Sequence, residues 1–259
     1  KKKSIRKKIR FLKRWCFQTA DHCFAVSNYT KNLIVSECGV SSENITVSFN
    51  GVDYRKFSPG PKNTNLEAKH ELAGKKTFFT ITRLDDYKGI DKSLEAFALL
   101  QKNYPDCRFL IAGAGGDRPR IENLLHSLTL GKKVKLLGKI SDQELIEIYR
   151  LADCFVMLSR EDLNAPNVEG FGIVFLEAAA CELPIIAGNS GGIPDAVSDR
   201  ENGILVSPTD IEEIAQAMEE IIINPGQSHL YGKTGRERVI SNFSWPHAAK
   251  RVMEKYVRD

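Results

Sequence analysis

From Thr77 onward the chain alternates short apolar runs with longer amphipathic stretches, and few architectures accept that rhythm. Residues 78–81, 108–112, 134–137, 154–158, 184–187 and 204–206 read as strands. Between them, helices are predicted over 91–103, 119–128, 142–151, 172–181 and 210–223. Pro119 suits a first helical turn, and Ser141-Asp142-Gln143-Glu144 is a capping box. Strands apolar on both faces and separated by helices imply a parallel sheet with helices on either side: an α/β, Rossmann-like layer structure. Phe243-Ser244-Trp245-Pro246 stops one helix and starts another, predicted over 247–257. Its Ala248, Ala249, Val252, Met253 and Tyr256 form an apolar stripe that must pack on something.

The segment before this pattern has a different character. A basic amphipathic helix is predicted over 4–17, then a strand over 22–26. Ser27 caps a helix that runs through Glu37 and ends at Gly39. A second strand covers 45–49. Asn50-Gly51-Val52-Asp53 follows as a turn, and 57–61, rich in Pro and Gly, reads as a linker. Of the 37 Lys and Arg, nine fall in residues 1–20, where there is no Asp or Glu. The remaining 28 stand against 33 acids, so the body is acidic and offers no nucleic-acid surface by charge. The basic helix, with Phe11, Leu12, Trp15 and Phe17, suits peripheral contact with anionic lipid. The alternative is a solvated helix whose apolar side packs on another part of the protein. No stretch approaches the roughly 18 apolar residues of a membrane span. Six scattered cysteines without a C-x-x-C pair read as reduced thiols, which implies the cytoplasm, at the inner face of the membrane if the lipid contact holds.

Ligands of open parallel sheets bind beyond the carboxyl ends of the strands, so chemistry is sought in those loops. The loop after residue 81 carries Arg83 and Lys88, which could clamp a diphosphate, Arg by bidentate bonds and Lys as a point charge. The alternative is a solvated loop in which they pair with Asp85 and Asp86. Gly113-Ala114-Gly115-Gly116 resembles a dinucleotide fingerprint weakly, since Arg118 stands where a third glycine belongs, and it reads better as a tight turn. A longer loop, 159–169, ends at Glu169. Gly170-Phe171-Gly172 then opens a helix whose free N–H groups attract anions. Glu177 follows two turns on. Carboxylates beside an anion site suit sugar hydroxyls; the alternative is one capping and one surface glutamate. Gly191-Gly192-Ile193-Pro194-Asp195 is another glycine turn into a helix.

Together these pieces resemble the retaining glycosyltransferases of family four, which have the GT-B fold. Glu169 through Glu177 is similar to their E-x7-E motif, and Arg83 with Lys88-Gly89 to their donor loop. Asn50-Gly51-Val52-Asp53 is similar to their interdomain hinge, Gly191 to Asp195 to their GG-x-P-[DE] turn, and Phe243-Ser244-Trp245 to the start of their last helix. The resemblance covers residues 20–259.

The resemblance implies a division into 1–52, the last elements of an acceptor domain with the hinge; 53–242, a nucleotide-sugar donor domain; and 243–259, a helix crossing back. It implies transfer of a sugar from a nucleotide-diphosphate sugar with retention of configuration. Arg83 and Lys88 would hold the diphosphate and stabilise the leaving group. Glu169 would orient the sugar, and Glu177 would bind the ribose. Gly170, Phe171 and Gly172 would offer backbone to sugar and phosphate, and Ile140 would meet the base through its main chain. Catalysis would rest on Arg83, Lys88 and Glu169, with no metal or other cofactor. Uridine is the expected base; the acceptor, whether saccharide, lipid-linked or protein, stays open. Thr82 and Cys181 stand where the family often has Gly, both expected away from the donor. Because most of an acceptor domain is absent, the chain is expected to be the carboxyl part of a longer enzyme. Competing readings are a non-catalytic nucleotide-sugar-binding subunit and a GT-B epimerase, the latter disfavoured by E-x7-E beside Gly-Phe-Gly.

Overall fold

The computed structural model describes residues 2–161 and 167–256, with side chains from residue 11 onward. The middle of the predicted loop 159–169, the predicted helix end at Val257 and the side chains of 4–10 lie outside the described residues.

The chain opens with α1 (Lys2–Thr19), β1 (Cys23–Ala25), α2 (Asn28–Leu33) and β2 (Ile45–Val47). The Ser27 hydroxyl caps α2 by accepting from Thr30 N–H at 3.0 Å. The helix expected to reach Glu37 instead widens into a π-type turn over Ile34–Cys38, closed by Gly39 at φ 70°. β1 and β2 pair in parallel, Cys23 opposite Ile45. Cys23, Ala25, Ile34, Cys38, Val40 and Ile45 make their small core.

A short α3 (Thr64–His70) follows, capped by the Asn63 side chain, in a stretch where no helix is predicted. Then come β3 (Thr77–Ile81), α4 (Ile90–Leu100), β4 (Arg108–Ala112), α5 (Arg118–Ser127), β5 (Val134–Gly138), α6 (Asp142–Leu151), β6 (Cys154–Met157) and α7 (Ile173–Ala180). β7 (Ile185–Gly188), α8 (Ile193–Ala196), β8 (Gly203–Val206), α9 (Ile211–Ile223), α10 (Pro225–Asn242) and α11 (Trp245–Tyr256) complete the chain. The predicted strands and their intervening helices form within a residue or three of the expected bounds.

The main sheet has six parallel strands in the order β5-β4-β3-β6-β7-β8. Consecutive residues of a strand point to opposite faces, which is why these strands read as unbroken apolar runs. Phe78 packs edge-on against Phe97 and Phe109 on one face. Phe79 packs against Tyr149 and Phe155 on the other. Such pairs add about 0.5–1.5 kcal/mol each beyond burial. The first face lies under α4, α5 and α9, the second under α6, α7 and α10. All six cysteines are unpaired; five are buried, and burial pushes the thiols of Cys107 up to about 11 and Cys181 up to about 12.

Strand order decides where a site can lie. From β3 the chain builds outward through β4 and β5, then returns to place β6 on β3's other side. The loops leaving β3 and β6 therefore diverge and leave a crevice at their carboxyl ends.

The chain crosses between the two sheets twice, and both crossings meet at one place. Val52 N–H donates to Phe243 O at 2.8 Å, and Val52 bridges Ser244. Phe49, Phe171 and Phe243 form a triangle of rings 5.6–5.9 Å apart. α11 turns back toward β1 and β2, where Ser48 Oγ donates to Ala248 O at 3.1 Å. Its predicted apolar stripe is only partly covered: Ala248 and Val252 are half-buried, whereas Ala249, Met253 and Tyr256 are exposed. No helix among the described residues is long and apolar enough to cross a membrane.

Candidate functional site

The crevice between β3 and β6 holds a cavity of about 390 Å³. Arg83, Lys88, Glu169, Gly170, Phe171 and Gly172 line it together, as the sequence pattern predicts. Val26 and Asn50 reach it from the first 50 residues, and Ile173 and Val174 from the first turn of α7.

Two cations leave β3 in one loop but meet different partners. Lys88 Nζ lies 2.6 Å from Glu169 Oε2, with both side chains 16% exposed or less. Arg83 is 73% exposed and approaches Asp85 Oδ2 at 3.3 Å. The solvated-loop alternative therefore holds for Arg83 and fails for Lys88, which pairs across the crevice and not with Asp85 or Asp86. Asp86 is taken by Arg120 at 2.6 Å and Arg160 at 2.9 Å. Arg160 also grips the buried Asp91 at 2.8 and 3.1 Å. Burial pushes Asp91 up, but the Arg160 bonds and charge prevail and hold it below the usual carboxylate range. This network pins the loop start of α4 to the strand end of β6.

The glycine turn after β4 serves the same loop. Leu84 N–H donates to Ala114 O at 3.1 Å, and Asp117 N–H donates to Leu84 O at 2.9 Å. It is a tight turn, as expected, and it braces the cation loop from below.

On the opposite wall, Gly172 sits at φ 88° immediately before α7, where a Cβ would also strike the Phe175 ring. The Glu169–Gly170 backbone is held by the next glycine turn. Gly192 N–H donates to Glu169 O at 2.9 Å, and a Cβ on Gly192 would collide with Gly170 O. Asp195 of that turn accepts from both Asn28 N–H and Asn28 Nδ2, each at 2.7 Å, tying α2 to α8. Phe171 was expected to offer only backbone; its ring is buried and stacks on Phe49 at 5.7 Å.

Glu177 and Ile140 do not line this cavity. Glu177 lies deeper along α7 and accepts from the Tyr149 hydroxyl at 3.0 Å. Burial raises its pKa above the usual glutamate value, and the Tyr149 bond and the charge of Lys56 only partly offset this. It is thus neither a cap nor a surface glutamate. Ile140 is half-buried beyond β5, packed against the core. Thr82, expected away from the donor, is among the residues that line the cavity. Cys181 is buried behind α7. Sequence reasoning did not find Tyr149 or the Arg160–Asp91 pair, which act through contacts between segments far apart in the chain, nor Tyr87, whose contacts with Arg83 and Lys88 are local but depend on how the loop folds.

The family described as "Glycosyl transferases group 1" matches residues 62–238, and "Glycosyltransferase Family 4" matches residues 1–56. The chain is 31% identical over 238 residues to a GDP-mannose-dependent alpha-(1-6)-phosphatidylinositol monomannoside mannosyltransferase of Mycolicibacterium smegmatis, covering 91% of this chain and 62% of that protein. Across several curated relatives the chain spans 50–62% of their length. Its structure is similar to sucrose-phosphate synthase from Thermosynechococcus elongatus, with a TM-score of 0.83 and 27% identity over 96% of this chain and 61% of that one. It is also similar to HepE from Anabaena, solved with UDP and glucose, with a TM-score of 0.81 over 91% of this chain and 62% of that one. At 22% identity that second likeness is one of fold.

Proposed function

The chain belongs to the glycosyl transferases group 1 family, whose GT-B Rossmann-like fold it shares, and on that premise we propose that it carries the donor site of a retaining glycosyltransferase. One observation carries the reading. A cation and a carboxylate 81 residues apart in sequence meet at 2.6 Å in the crevice where strand order reverses, beside the start of α7. That is where an anionic ligand with attached hydroxyl groups finds both kinds of partner.

In this mechanism the donor diphosphate takes Lys88 and the exposed Arg83. Both cations stabilise the negative charge that grows on the leaving diphosphate as the sugar–phosphate bond breaks, and no metal is invoked. Once Lys88 turns to phosphate, Glu169 is released to accept hydrogen bonds from the transferred sugar. The backbone of Gly170, Phe171 and Gly172 lets sugar and phosphate approach closely. Glu177, desolvated and supplied with one phenolic donor, accepts from the ribose hydroxyls, with the base lying toward the main chain of Ile140. Residues 53–242 form the donor domain in this reading. Residues 1–52 and 243–259 belong to an acceptor-side unit in the same reading.

The GDP-mannose dependence of the mannosyltransferase relative points to guanosine, and the family resemblance to uridine. That relative's phosphatidylinositol monomannoside acceptor, and the exposure of Phe11, Leu12 and Trp15 on the basic α1, favour a lipid-linked acceptor met at the cytoplasmic membrane face. Calorimetric titration with UDP, GDP and ADP, beside Glu177→Ala, tests the donor site. One nucleotide binding selectively, and more weakly to the variant, supports it; no binding of any overturns it. NMR of the product's anomeric proton tests retention. Sedimentation with anionic liposomes at low salt tests the membrane contact.

A further inference from the structure

We propose that Tyr87 is a positioning residue that aims both donor-loop cations at the diphosphate; the proposal rests on the donor-site reading above. Tyr87 lies between Arg83 and Lys88 in the chain, and its side chain lies between theirs in space. Its phenol oxygen accepts from Arg83 Nη2 at 3.2 Å. Its ring carries Lys88 Nζ at 4.8 Å from the centroid. The residue itself is buried, and its carbonyl accepts from Arg160 N–H at 2.8 Å, so the platform is fixed to the network that includes Asp91.

The chemistry of this partner matters. Asp85 and Glu169 also hold these cations, but a carboxylate neutralises the charge it holds. A phenol oxygen and an aromatic face orient a cation and leave its full charge for the ligand. An exposed arginine otherwise loses rotamer freedom when it closes on a ligand, a cost that prior alignment reduces. Tyr87 is absent from the cavity lining, so it acts through Arg83 and Lys88 and does not touch the donor.

A second phosphate group is what two aligned cations recognise. The readout is therefore the preference for a nucleoside diphosphate over its monophosphate, measured by calorimetry with UDP and UMP, GDP and GMP, and ADP and AMP. Tyr87→Phe removes the Arg83 bond and keeps the ring; it should cut the preference about threefold to tenfold, the size of one hydrogen bond. Tyr87→Leu removes both contacts and should cut it about tenfold or more. Loss of fold would weaken mono- and diphosphate alike and leave the preference unchanged. Unchanged preference in both variants, with or without such general weakening, overturns the role of Tyr87 while leaving the donor site standing. A wild-type chain that binds neither nucleotide, or binds both equally, overturns the diphosphate reading and this proposal with it.

Discussion

The two ends of the Glu169–Glu177 segment meet opposite surroundings. At the outer end, Glu169 faces Lys88 at 2.6 Å on the cavity wall, so charge is balanced before any ligand arrives. At the inner end, Glu177 is largely desolvated and has a neutral phenol for its partner at 3.0 Å. The same side chain in one motif is thus an ion-pair member at one end and a desolvated acceptor at the other. An ion-paired carboxylate becomes available only when something competes for its cation. A desolvated one is available at once and gains from every donor it meets. The spacing of two glutamates shows none of this; the difference comes from what β3 and α6 bring beside them.

The largest effect should come from the exposed cation near the outer end. Arg83→Ala is expected to lower turnover about 100- to 1,000-fold if its work lies on the leaving group. Nucleotide affinity should fall much less, and steady-state kinetics beside calorimetry separates the two. Equal losses would make Arg83 a binding residue only. At the inner end, Glu177→Ala should weaken nucleotide binding by about 1–3 kcal/mol through lost hydrogen bonds; an unchanged dissociation constant would remove Glu177 from the ribose site. The sharpest contrast is smaller. Glu169→Gln frees Lys88 and removes a negative charge beside the diphosphate, so nucleoside diphosphate should bind more tightly by about 1 kcal/mol even as turnover falls. Weaker binding would mean that Glu169 assists the phosphates and does not compete with them.

The smallest effect concerns stability. Because Glu177 has a raised pKa in the fold, its ionisation opposes folding. No penalty exists below the unfolded glutamate value. It grows as pH rises through that value to the folded one and is full above it. Glu177→Gln should therefore raise Tm at pH 7 by about 2 °C, under roughly 1 kcal/mol for a chain of this size, and leave it unchanged at strongly acidic pH. Thermal melts at the two pH values check this. A gain of equal size at both would trace to packing and not to charge.

Much of the fold was legible because parallel strands buried on both faces leave continuous apolar runs, and capping residues such as Ser27 and Ser141 mark helix starts. The strand order was not, since nothing local in residues 154–157 says that β6 returns to the side of β3. α3 escaped because its seven residues bury only His70 and so show no apolar period. At the candidate site, the residues lining the cavity were legible from glycines and charges in loops after strands. Their partners were not. Tyr149 reaches Glu177 across 28 residues, and Lys88 reaches Glu169 across 81. Phe171 reads as a bystander between two glycines until Phe49 and Phe243 close on it.

The joint at Val52 and Ser244 has a mechanical consequence. The chain passes between the small sheet and the large one twice, and both passages touch at the same spot. Two connections set far apart would brace the sheets like the legs of a table. Two at one point act as a pin, which fixes distance but does not by itself oppose rotation about that point. Resistance to that rotation falls to contacts away from the pin, foremost the paired bonds between Asn28 and Asp195. Asn50 and Phe171 sit beside the pin and line the cavity, so the junction of the two sheets is also part of the cavity wall.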